Sequence, residues 1–132
     1  MKKSIHVSGT RKKAIARATL KEGKGIVRIN KRPIDTYNSE VLKLKLMEPL
    51  ILAGETASKV DINVKVDGGG AMSQTEAARL AIARALAEYN SKLKRTFLEY
   101  DRNLLVADVR QREVRKPNTH GNARGKVQKS YR

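Results

Sequence analysis

Apolar and polar positions alternate most strictly at Val60, Ile62, Val64 and Val66, which are separated by Asp61, Asn63 and Lys65. A period of two predicts a strand with one buried face. Weaker alternation predicts strands over 4–9, around Ile5 and Val7, and over 14–21, around Ile15 and Leu20. A further strand is predicted over 26–29. Glu22-Gly23-Lys24-Gly25 lies between the last two as a turn, so 14–30 reads as a hairpin. Ser39 is placed to cap a helix over 40–47 with Val41, Leu44 and Met47 inward. Pro49 is expected to end that helix, leaving 50–53 as a short apolar run.

Gly68-Gly69-Gly70 breaks the clear strand, and the spacing changes to helical. Ser73-Gln74-Thr75-Glu76 has the spacing of a capping box, in which Ser73 and Glu76 each satisfy the other's backbone amide. The helix is predicted over 74–89, with Ala78, Ala81, Ile82, Ala85, Leu86 and Tyr89 on one face. Its many alanines allow close approach to a sheet. A shorter helix is predicted to follow Ser91, with Leu93 and Phe97 one turn apart, and a last strand around 106–114. This order predicts an α+β fold: a two-layer sandwich with a mostly antiparallel, four-stranded sheet and helices on one face.

After Lys116 no periodicity survives. Residues 1–116 are therefore the expected folded domain, with a basic N-terminal block. Residues 117–132 are an expected extended basic tail, disordered in isolation.

Charge sharpens that division. The 132 residues carry a formal net charge of +16. Residues 1–17 hold six basic side chains and no acid, and residues 110–132 hold eight against one. The segment between them is nearly balanced. Concentrated positive charge repels itself unless a polyanion compensates it. A membrane surface would call for a basic amphipathic helix with large apolar residues opposite. Residues 110–132 offer only Val114, Val127 and Tyr131. Nucleic acid is the polyanion that fits. The chain has no cysteine and no run of about 20 apolar residues. Disulfide scaffolds, thiol chemistry and transmembrane helices are thereby excluded. Met1-Lys2-Lys3-Ser4 leads into alternating residues rather than an apolar signal core, which speaks against secretion.

Catalytic readings fail for want of partners. His6 and His120 are the only histidines, and neither has a metal ligand at workable spacing, so no cofactor or metal is expected. Glu99 and Asp101 are two apart and do not converge on a helix face. Gly68-Gly69-Gly70 before a helix could receive a phosphate, but it lacks the Walker lysine and G-x-G-x-x-G spacing. It reads first as a tight structural connection, with glycine where other residues would clash, and contact with a nucleic-acid backbone is compatible with that. The remaining candidates are phosphate ligands: Arg11, Lys12, Lys13 and Arg17 near the N-terminus, and Arg110, Arg112, Arg115, Lys116, Arg124, Lys126, Lys129 and Arg132 toward the C-terminus. No row of aromatic residues offers a stacking platform, so the expected mode is shape and backbone recognition.

These residues also carry a resemblance. Gly68-Gly69-Gly70-Ala71-Met72-Ser73-Gln74, followed by Ala77, Ala78, Ala81 and Arg84-Ala85-Leu86, resembles the signature of the small-subunit ribosomal protein nine family. Gly9-x-Arg11-Lys12-x-Ala14-x-Ala16-Arg17 resembles its N-terminal block. Pro49-Leu50, Asp61-x-x-Val64-x-Val66 and Asp108-x-Arg110 fall in the family's order. The ending Gln128-Lys129-Ser130-Tyr131-Arg132 is similar to the archaeal and eukaryotic branch.

The resemblance implies a non-enzymatic constituent of the head of the small ribosomal subunit, in the cytoplasm, and not an independent homo-oligomer. It implies a fold like the second domain of small-subunit protein five, with a left-handed β-α-β crossover. It also implies partners: ribosomal RNA, neighbouring head proteins and P-site transfer RNA. Ribosomal RNA contact would fall on the basic residues named above up to Lys126 and on Gly68, Gly69 and Gly70. Contact with the transfer RNA anticodon stem-loop would fall on Lys129, Tyr131 and Arg132. Bacterial members carry Thr-Arg-Asp where this chain has Val106-Ala107-Asp108, so their tail contacts upstream of Arg132 do not transfer. Two other classes share part of this pattern. A DNA-compacting protein shares the charge but would need a groove-insertion element. An RNA-processing enzyme would need a convergent acid or base cluster.

Overall fold

In the computed structural model, residues 4–36, 39–110, 114, 115 and 117 are described. Five strands form one sheet: β1 (Ile5–Arg11), β2 (Ala14–Glu22), β3 (Val27–Ile29), β4 (Arg32–Pro33) and β5 (Val60–Asp67). Their order across the sheet is β1-β2-β5-β3-β4. Three helices accompany them: α1 (Glu40–Ala53), α2 (Ala71–Tyr89) and α3 (Lys92–Tyr100).

The alternation seen in the sequence places the core. Ala14, Ala16, Ala18 and Leu20 of β2, and Val60, Ile62, Val64 and Val66 of β5, are buried on one face. They pack with Ala77, Ala78, Ala81, Ile82, Ala85 and Leu86 of α2. Small residues on both sides let helix and sheet approach closely. Gly9 marks the closest point: a Cβ there would lie 2.5 Å from the Ala77 carbonyl oxygen and 2.8 Å from the Ala81 amide nitrogen. The opposite face of the sheet carries His6, Ser8, Thr10, Arg17, Arg28, Asn63 and Lys65, all exposed. The helices therefore cover one face only.

The expected hairpin over 14–30 does not form. β2 and β3 are not neighbours, because β5 lies between them, antiparallel to β2 and parallel to β3. Length decides this. β5 pairs with β2 over eight positions, from Ile15↔Asp67 to Glu22↔Val60. The three-residue β3 could match only part of β2. The sheet accordingly has five strands rather than four, and one of its pairings is parallel. The segment from β3 through α1 to β5 is a β-α-β unit.

Several local expectations are also corrected. α1 does not stop at Pro49 but runs through it to Ala53. The ring removes one backbone bond, yet Pro49 is buried beside Leu46 and Ala53, and that packing compensates. Val41 and Leu44 are exposed instead of inward, at 65% and 56%. Apolar residues surround α1, so periodicity alone could not choose its buried side. Ser39 does cap α1, its Oγ accepting from the Leu42 amide at 3.5 Å. The capping box does not form. α2 begins at Ala71 after Gly70, and Glu76 is drawn away to Arg11. Ser91 provides no side-chain cap for α3; Asn90 Oδ1 accepts from the Lys92 amide instead. Tyr89 is partly exposed rather than part of the core.

Among the described residues, 106–110 form no strand. The outward carbonyl of Ser8 on the edge strand β1 is taken by Arg84 Nη1 at 2.9 Å, while Arg84 Nε donates to the Leu105 carbonyl at 3.0 Å. A guanidinium thus bridges the sheet edge and the start of the C-terminal segment.

Candidate nucleic-acid interface

The N-terminal basic block divides over three places. Lys12 and Lys13 form the exposed β1–β2 turn, with Lys12 at a positive φ of 55°. Arg17 projects from β2 on the open face, opposite Ser8 of β1. Arg11 turns to the helical side, where its side chain is only 15% exposed.

The glycine run seats the lysine turn. Gly68 has φ +79°, and a Cβ there would meet the Lys13 carbonyl oxygen at 2.5 Å. Gly69, at φ +65°, would place a Cβ 3.2 Å from the Ala14 amide nitrogen. Both conformations favour glycine. The close contact makes these two residues a tight connection between β5 and α2. Gly70 has open space around its Cα. The result is that Lys12 and Lys13 lie beside the glycine loop preceding α2. Neither lysine has an ion-pair partner among the described residues.

Arg11 joins a network of charges. Its Nε donates to Glu76 Oε2 at 2.8 Å, and its Nη1 donates to the Arg110 carbonyl at 2.9 Å. Asp108 Oδ2 lies 3.8 Å from Arg11 and accepts from Arg110 Nη2 at 2.6 Å. Lys45 of α1 approaches the other Glu76 oxygen at 3.7 Å. Nearby, Arg79 is held by Glu48 and Asp101 at 2.5 and 3.2 Å. Arg11 therefore ties the β1–β2 hairpin to α2 and to the start of the C-terminal segment. Arg110 pairs with Asp108 but keeps a side chain 80% exposed. Arg115 is exposed. Arg112, Lys116, Arg124, Lys126, Lys129, Tyr131 and Arg132 lie outside the described residues, as does His120.

The Arg110 side chain and amide, with the Arg11 charge, hold the Asp108 carboxyl far below the ordinary carboxylate range. A folded-state value below the unfolded one stabilises at pH above about 4, and the benefit is lost as pH falls further. Asp108 should accordingly stay ionised through the pH range in which ordinary carboxylates protonate. Carboxyl-carbon NMR reads this directly, and a midpoint near the unperturbed value of about 3.9 would contradict the network.

Three further cations on the open face, Lys21, Arg28 and Lys65, were not among the residues singled out from the sequence. The available signal was the same alternation that located the core, because Lys65 sits between the buried Val64 and Val66.

The sequence model of the family described as ribosomal protein S9/S16 matches residues 9–132. The chain belongs to this family. Curated relatives agree along their length. Small ribosomal subunit protein uS9 of Methanococcus maripaludis is 50% identical over 133 positions, covering 98% of this chain and 99% of the relative. The uS9 protein of Methanococcus vannielii is 49% identical with the same coverage. Both are archaeal, in keeping with the branch suggested by the ending at Lys129-Ser130-Tyr131-Arg132. The S9/S16 match takes in the lysine turn, the glycine loop and the whole basic tail.

Proposed function

We propose that this chain is a structural protein of the small ribosomal subunit in the cytoplasm. It binds ribosomal RNA in the head, and its tail reaches the anticodon stem-loop of P-site transfer RNA. The carrying observation is the S9/S16 match, which extends from residue 9, within the N-terminal basic block, to Arg132. Membership of that family also goes with a structural rather than an enzymatic role. In this reading 1–116 is the folded unit, its β-α-β crossover left-handed, and 117–132 is the arm.

Lys12, Lys13 and Arg17 serve as phosphate ligands on the folded unit, with the glycine loop as the platform beneath the turn. Arg110 can hold Asp108 and still present its exposed edge to a phosphate. Arg11 acts chiefly by position, fixing the hairpin and the root of the arm together. Arg112, Arg115, Lys116, Arg124 and Lys126 continue the contact with ribosomal RNA, and Lys129, Tyr131 and Arg132 reach the transfer RNA. Neighbouring head proteins complete the surroundings.

Arg132→Ala tests the arm. A charge-assisted hydrogen bond is worth about 1.5–3 kcal/mol, so P-site transfer RNA affinity of purified subunits should fall about tenfold or more. Unchanged affinity would remove transfer RNA contact from the function.

A further inference from the structure

The open face of the sheet holds an excess of cations. Arg17 of β2 lies directly opposite Lys65 of β5. Like charges at a directly opposed cross-strand position destabilise a sheet. Arg28 lies on β3 opposite Asn63, the same-face neighbour of Lys65 on β5, and Lys21 lies on β2 opposite Asp61. None of these four cations makes an ion pair within 4 Å among the described residues.

The acids on this face lie toward its two ends and leave Arg17 and Lys65 uncompensated; Asp61 faces Lys21 and feels the Arg28 charge without an ion pair to either. Asp61 Oδ1 accepts from the amides of Lys24, Gly25 and Ile26 at 2.9, 3.2 and 3.0 Å, which ties it to the β2–β3 turn. Those amides, chiefly Ile26 and Lys24, hold its carboxyl below the usual range, with a smaller contribution from the Arg28 charge. Asp67 lies at the far end of β5, opposite Ile15. Between these acids, the central rows are Ser8–Arg17–Lys65 and His6–Thr19–Asn63–Arg28. The side chains there are cationic or hydrogen-bonding, and none is a large apolar group. At about 4.8 Å per strand, the four strands of the second row span about 14 Å. The surface is therefore broad, shallow and positive.

We propose that this face is a second RNA-binding surface, separate from the lysine turn and the tail, on which Arg17, Arg28 and Lys65 hold backbone phosphates. The proposal rests on the ribosomal RNA reading above and specifies a site for it. A shallow face without aromatic platforms suits an RNA helix read by shape and phosphate position. The repulsion between Arg17 and Lys65 is then relieved by the phosphate between them.

The test uses the full chain and small-subunit ribosomal RNA from its native host, with duplex DNA as competitor. The triple variant Arg17→Gln, Arg28→Gln, Lys65→Gln removes three face cations. A control triple, Lys92→Gln, Arg95→Gln, Arg102→Gln, removes three on α3 and the turn after it. Each phosphate contact contributes about 0.7–0.9 to the slope of log affinity against log salt. The face variant should therefore lose about two to three units of slope and bind at least tenfold more weakly than the control at moderate salt. Its thermal midpoint without RNA should rise, because the cross-strand repulsion is gone.

Equal affinity and slope for the two triples would overturn the proposal while leaving ribosomal RNA binding in place. A midpoint that falls together with affinity would overturn it too, assigning these residues to sheet stability. If the unmodified chain prefers duplex DNA or binds no ribosomal RNA, the ribosomal RNA reading itself fails and takes this face with it.

Discussion

Gly9→Ala should cost the fold about 2–4 kcal/mol, at the upper end of what overpacking a tight contact does. The added Cβ would press on the Ala77 carbonyl oxygen at 2.5 Å, the Ala81 amide nitrogen at 2.8 Å and the Leu80 Cβ at 3.1 Å. Two of these three are backbone atoms of α2, which no change of rotamer can move. β1 must separate from the helix, and contacts along Ala14, Ala16 and Ala18 loosen with it. Domain stability is usually only about 5–15 kcal/mol, so this is a large share. The thermal midpoint should drop by about 10 °C or more. Gly70→Ala is the natural comparison. Its φ is −98° and its surroundings are open, so the change should cost under about 1 kcal/mol. Equal midpoints for the two variants would mean that β1 and α2 do not approach as described.

Removal of residues 117–132 should have the largest effect on RNA attachment. The segment carries Arg124, Lys126, Lys129 and Arg132 and no acid. If each neutralises one phosphate, the salt dependence of binding falls by about three units of slope. Affinity at moderate salt should drop by about a hundredfold or more. The shortened chain should wash from small-subunit particles at a salt concentration that the full chain withstands. Its melting curve should be nearly unchanged, because the buried core among the described residues runs no further than Leu104. A coupled loss of stability would show that the tail belongs to the folded unit.

How much of this was legible in the sequence depended on whether the signal was local. The alternation from Val60 to Val66 and the helical face from Ala78 to Leu86 each lie within one element, and both gave the buried side correctly. The insertion of β5 between β2 and β3 was not legible. It pairs residues 35 to 52 positions apart, from Val27↔Ile62 to Ile15↔Asp67, while the nearby Gly-rich turn suggested a hairpin. The capping box failed for the same reason. Glu76 had a suitable local partner in Ser73, yet Arg11, 65 positions away, offered it a charged one. Pro49 misled because its penalty is a property of the backbone, whereas its compensation comes from tertiary burial.

The candidate interface was legible where charge is contiguous. Lys12 and Lys13 fall together in the sequence and form one exposed turn. Arg11 and Arg17 share that block, but β1 and β2 send them to opposite faces of the sheet. Arg28 and Lys65 were missed because each is a single cation on its own strand. Only the sheet order brings them beside Arg17. The glycine run was legible as a motif, but its physical reason required the fold. It makes room for the Lys13 carbonyl against the start of α2.

The central claim, that this S9/S16 family member is an integral part of the small subunit, is tested most directly by sedimentation. The full chain is tagged in its native host, and the particles are washed in about 0.5 M salt, where attachments made through phosphates alone are largely lost. The account predicts that the full chain stays in the small-subunit peak. Release of the full chain to the top of the gradient would contradict it, and would leave a basic protein that only adheres to the particle surface.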